Sequence, residues 1–135
     1  MIANIAHVRV RYAETDQMGV VYHANYIVWM EVGRTEFCRA AGIVYRELEE
    51  NEGLRLAVVE ANCRYISPAR YDDEIEIHTT IAESNPRMIR FAYLLRQKAT
   101  GAKVAEGSTK HIFLNKELKL AKLPAAYFPQ FGINR

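Results

Sequence analysis

Near its start the chain alternates between apolar and polar positions. Ala6, Val8, Val10 and Tyr12 fall on one side of an extended backbone, and His7, Arg9 and Arg11 on the other. A period of two over seven residues predicts a half-buried β-strand from Ala6 to Tyr12. Glu14, Thr15 and Asp16 break that pattern, and Gly19 supplies a turn position. From Ala24 to Ala41 the period lengthens. Tyr26, Met30, Gly33, Phe37, Ala40 and Ala41 recur at three- and four-residue steps and share one helical face. Ile27, Val28, Trp29 and Val32 make the first half apolar nearly all round, which predicts a helix buried on more than one side. Gly42 follows as a C-terminal cap, and Tyr45 to Glu52 reads as a second, short helix.

Four strand patterns follow. Leu56 to Ile66 places Ala57, Val59, Ala61, Cys63 and Tyr65 on one face and Glu60, Asn62 and Arg64 on the other. Glu74 to Ile81, Met88 to Gln97 and Lys103 to Leu114 continue the alternation. Turn signals separate them at Ser67-Pro68-Ala69-Arg70, Ser84-Asn85-Pro86 and Ala99-Thr100-Gly101. The tail from Leu123 to Arg135 carries Tyr127, Phe128 and Phe131 and reads as a short docked helical turn. Hairpin-linked strands are antiparallel. One long apolar helix with one sheet predicts an α+β domain, a mainly antiparallel five-stranded sheet wrapped around a central helix, with residues 1–135 as a single domain. The sheet's edges call for pairing with another copy.

Composition narrows the function classes. Half the residues are hydrophobic and a quarter charged, which excludes a disordered chain. The 18 Lys and Arg stand against 16 Asp and Glu, and no basic run stands out, so nucleic acid is not a predicted partner. Cys38 and Cys63 have no metal-type spacing and read as reduced, buried core residues, which suits the cytoplasm. No secretory leader and no transmembrane segment is legible. There is no G-x-S-x-G elbow, and His7, His23, His78 and His111 form no metal motif.

Chemistry concentrates between Arg11 and Tyr26. A polar loop with a carboxylate, Asp16, leads through Gly19 into the apolar helix. The start of a helix exposes unpaired N–H groups and a positive dipole end, which polarise a carbonyl and stabilise an oxyanion. A carboxylate beside it serves as general base or nucleophile. On spacing alone, however, Asp16, His23 and Asn25 read as cap and turn residues before they read as a site.

The run Tyr12-Ala-Glu-Thr-Asp16-Gln-Met-Gly19-Val-Val-Tyr22-His23-Ala-Asn25-Tyr26, continuing to Glu31, Arg34 and Glu36, resembles the signature of hotdog-fold thioesterases of the 4-hydroxybenzoyl-CoA type. It is most similar to the branch of short- and medium-chain acyl-CoA thioesterases associated with the bacterial Tol-Pal system, and the resemblance covers nearly the whole chain. It implies a hotdog fold and hydrolysis of acyl-CoA thioesters, with Asp16 as catalytic base or nucleophile. It places His23 at the helix start, where a main-chain N–H polarises the thioester carbonyl. Tyr22, Asn25 and Glu31 become supporting residues, Glu31 pairing with Arg34 three positions on. The resemblance further implies sites shared between subunits of a dimer or tetramer, with the tetramer favoured. Arg70 and Arg87 are candidates for the coenzyme A phosphates. No metal or organic cofactor is required, because the thioester is already activated. A hotdog dehydratase and a non-catalytic acyl-CoA or acyl-carrier-protein binding module are the alternatives on the same scaffold.

Overall fold

The computed structural model describes residues 3–134; Met1, Ile2 and the end of the predicted tail at Arg135 lie outside the described residues. Strand β1 (Ala3–Arg9) leads through a 3₁₀ turn (Tyr12–Glu14) and a loop into helix α1 (Ala24–Ala40). Helix α2 (Tyr45–Glu52) follows, then β2 (Arg55–Tyr65), β3 (Glu74–Asn85), β4 (Met88–Gln97) and β5 (Lys103–Leu114). The tail adds two 3₁₀ turns, Ala125–Tyr127 and Pro129–Phe131, and seats Phe131 in the core beside Phe113.

The strands form one sheet in the order β1-β3-β4-β5-β2, with every neighbouring pair antiparallel. Short turns dictate the β3-β4 and β4-β5 hairpins. Between β1 at one edge and β2 at the other, the chain crosses beneath the whole sheet as α1 and α2. This is the wrapped hotdog arrangement. Alternation along β4 delivers Ile89, Phe91, Tyr93 and Leu95 to the helix side, all buried. Phe91 meets Phe37 of α1 edge to face, ring centres 5.6 Å apart. The α1 terminus closes as a Schellman motif: Gly42 (φ +86°) donates to Arg39 O, and Ile43 donates to Cys38 O. No described helix is long and apolar enough to cross a membrane.

The structure corrects several sequence expectations. β1 begins and ends three residues early, and Tyr12 leaves it for the 3₁₀ turn, 78 % exposed. The Glu14 carboxylate accepts the Arg11 N–H, which ends the extended run. Helix α1 is buried on one side only. Val28 is half exposed and Ala40 exposed, because a single sheet covers a single face. In β2 the register slips between Val58 and Glu60. Leu56 and Val58 therefore share the helix side with Ala61, Cys63 and Tyr65, while Ala57 faces outward. Cys63 on this edge strand is half-buried, not a core residue as Cys38 is; both thiols are free.

Candidate active site

The segment between the 3₁₀ turn and α1 is an ordered loop. Thr15 bridges Val21, Asp16 N–H donates to Val20 O, and Gly19 N–H returns to Asp16 O. This tight closure needs the left-handed backbone of Gly19 (φ +78°). One carboxylate oxygen of Asp16 accepts the Met18 N–H at 2.9 Å, an Asx turn that orients the side chain. Val21 N–H donates to Ala69 O, which ties the loop to the turn after β2. The loop and that turn enclose a pocket of about 300 Å³. Asp16, His23 and Ser67 supply its polar wall. Met18, Val20, Tyr26, Tyr65 and Ile66 supply much of its apolar wall.

At the mouth of α1 the N–H groups of His23 and Ala24 have no backbone acceptor among the described residues, whereas those of Asn25 and Tyr26 fold back onto Tyr22 O and His23 O. The Tyr65 hydroxyl donates to His23 O at 3.1 Å, which fixes the helix start against β2. Burial pushes the Tyr26 hydroxyl up from its ordinary pKa, a backbone bond from Ala69 opposes this, and the charges of Cys63, Tyr65 and Asp16 add to the rise. Tyr26 thus stays protonated at neutral pH.

Glu14 holds the base of the loop. Its carboxylate accepts the Arg11 N–H at 2.8 Å and the Trp29 indole N–H at 3.0 Å. Its main-chain oxygen accepts from Tyr22 N and from Asn25 Nδ2. Burial raises the Glu14 pKa, but these donors and the Arg11 guanidinium outweigh burial, and the carboxyl ionises below the ordinary glutamate range.

The sequence candidates divide on this geometry. Asp16 and His23 share the pocket. Asn25 holds the loop through Glu14, and the exposed Tyr22 ring lies tilted against the His23 ring, centres 4.5 Å apart. Arg70 is exposed in the turn whose first residues line the pocket. Glu31 lies farther along α1, 4.0 Å from Arg34, on a separate cavity with Tyr45 and Leu48. Arg87 occupies the β3-β4 turn, at the opposite end of the sheet from Asp16. Sequence reasoning missed Glu14 as an anchor and Tyr65 to Pro68 as a pocket wall. The Ser67-Pro68 turn was legible as a turn, but nothing in it announced what it would face. Among the described residues no three His, Cys, Asp or Glu side chains converge as a metal site.

Comparison with known proteins gives this geometry a lineage. The thioesterase-like superfamily profile matches residues 10–131. The Bacillus subtilis protein YneP, which carries a provisional acyl-CoA thioesterase name, is 41 % identical over 110 residues, 82 % of this chain and 78 % of its own. The acyl-CoA thioesterase YbgC of Haemophilus influenzae is 35 % identical over 123 residues, 84 % of this chain and 90 % of its own. The crystal structure of a DHNA-CoA thioesterase from Staphylococcus aureus superposes with a TM-score of 0.88 at 30 % identity, covering 98 % of this chain and 87 % of that one. With a helix mouth and a carboxylate facing one apolar pocket, and with matches that run through nearly the whole sequence, the chain belongs to the thioesterase-like superfamily.

Proposed function

We propose that this protein hydrolyses acyl-CoA thioesters in the pocket between the Asp16 loop and the turn after β2. The observation that carries the reading is that Asp16 and His23, the residue at the start of α1, line one cavity. The thioester carbonyl oxygen points at the N–H groups of His23 and Ala24, where the helix dipole and two unpaired donors meet the charge that develops on attack. Asp16 takes a proton from water, water adds to the carbonyl carbon, and the tetrahedral intermediate expels coenzyme A as thiolate, which then gains that proton. In the nucleophilic variant the Asp16 oxygen adds first and expels coenzyme A as thiolate, and water then hydrolyses the resulting anhydride to release the acid and restore the Asp16 carboxylate. Mainly apolar walls and a volume of about 300 Å³, at the lower end for ligand sites, favour a short or medium aliphatic or an aromatic acyl group.

Arg70 is our candidate for the coenzyme A phosphates, because the turn that carries it lines the pocket. Arg87 serves that role only from a neighbouring copy. The assembly we propose is a homo-oligomer, a tetramer by family resemblance, with the exposed edge of β2 as its seam. Residues 1–135 act as one hotdog domain, and two free thiols suit a reducing, cytoplasmic setting.

The test is release of free thiol from a panel of aliphatic and aromatic acyl-CoAs. Turnover by the wild type that falls by a factor of at least ~100 in Asp16→Asn, with unchanged circular dichroism, supports the reading. Binding without turnover across the panel sinks it and favours an acyl-CoA binding module.

A further inference from the structure

Asp16 has little of its own to hold it: its carboxylate takes one backbone N–H, from Met18 two residues on. The loop that bears it is fastened instead at Glu14. Four donors converge there. Arg11 N–H comes from the start of the loop and Tyr22 N–H from its end, Asn25 Nδ2 from the first turn of α1 and the Trp29 indole from the second. The side chain is only 8 % exposed. A carboxylate is costly to bury, and a neutral group would be cheaper if the site needed nothing more than packing. An ionised carboxylate offers two acceptor oxygens and no donor, so it satisfies the Arg11 and Trp29 N–H groups together. A glutamine would turn its own NH₂ toward one of them.

We infer that Glu14 is a positioning residue, whose carboxylate, clamped between the Arg11 N–H and the Trp29 indole, sets Asp16 against the mouth of α1. Two bonds link the residue to the loop and two link it to the helix, so a shift at Glu14 moves Asp16 relative to the N–H groups of His23 and Ala24. The kinetic part of this inference rests on the thioesterase reading; the structural part has its own probe. Trp29 is the single tryptophan in the chain, so its indole N–H gives one resolved resonance in a ¹H–¹⁵N spectrum.

The experiment combines that spectrum with a double-mutant cycle. In wild type the indole proton should resonate downfield and exchange slowly; in Glu14→Gln it should move upfield and exchange faster. Glu14→Gln should lower kcat by ~10–100-fold with KM changed far less, as a misplacement of about an ångström does. Added to Asp16→Asn, it should cost nothing further, because a residue that acts through Asp16 has no effect once Asp16 is gone. Losses that multiply in the Asp16→Asn background, or a Glu14→Gln enzyme with wild-type kcat, would overturn the inference. If Glu14→Gln does not fold, Trp29→Phe removes one donor and leaves Arg11 paired. Its kcat loss must likewise vanish in the Asp16→Asn background. If wild type turns over no acyl-CoA, the thioesterase reading fails, and the indole resonance alone decides. A solvent-like shift with fast exchange in wild type overturns the clamp, and a protected one supports it.

Discussion

His111 is buried beneath α1, 1 % exposed, with Nε2 2.8 Å from Thr109 Oγ1 and Nδ1 without a partner among the described residues. Burial, and then the Arg34 charge, push its pKa down to about 4. The unfolded chain takes up that proton near pH 6.5, and the folded one resists it until about pH 4. Stability from this residue is therefore complete above pH 6.5 and lost as pH falls to about 4, a change on the order of 3 kcal/mol. Urea unfolding at pH 7 and pH 4 should show the loss, and His111→Gln, which can keep the Thr109 bond, should flatten the profile between them. Glu14 works in a lower window. Its depressed pKa contributes stability above the ordinary glutamate value, lost as pH falls through the folded one. At this scale the motif singled out Asp16 and His23, and the structure brings both to one pocket wall. Glu14 was not, because an acid in a polar loop reads as solvated, and the indole that buries it lies 15 positions away. Nor was the protonation of His111, since alternation puts a side chain on a face without saying what waits there.

Between elements, α1 approaches β3 closely at Gly33. A Cβ at Gly33 would stand 2.6 Å from Thr79 Oγ1 and 2.7 Å from Ile77 Cγ2. Both belong to β-branched side chains, which have little rotamer freedom to retreat. Gly33→Ala normally stabilises a helix by about 1 kcal/mol. Here the clash should reverse the sign, a net loss of about 1–3 kcal/mol by chemical denaturation, as overpacked cores show. A gain in stability would mean that α1 rides higher on the sheet. The three- and four-residue spacing of Tyr26, Met30, Gly33 and Phe37 was enough to find this helix and its buried face. The slip in β2 escaped the same method. Ala57, Val58 and Val59 are all apolar, so removing one residue from the ladder leaves no mark on the pattern, while Ala61, Cys63 and Tyr65 keep their alternation beyond it.

For the molecule as a whole, the edge at β2 carries exposed Val58, Val59, Tyr65 and Ile66, of which Tyr65 and Ile66 line the Asp16 pocket. A charge placed there should hinder strand-to-strand association. Val59→Lys should shift the mass measured by light scattering toward that of one chain and reduce thiol release with it. A monomeric mutant with full activity would show that one chain suffices for catalysis. The proposed assembly rests on the family resemblance and on the sheet's edges, because no local run of residues says what a second copy would contribute.

The slip at Val59 also bears on the fate of a subunit that finds no companion. A straight, apolar edge is a template on which identical strands stack without limit, the first step toward a cross-β fibril. On β2 a growing ladder meets a bend and a two-against-one mismatch after Val58, so regular stacking loses its register there. One extra residue thus guards an apolar edge on newly made, solitary chains against runaway polymerisation.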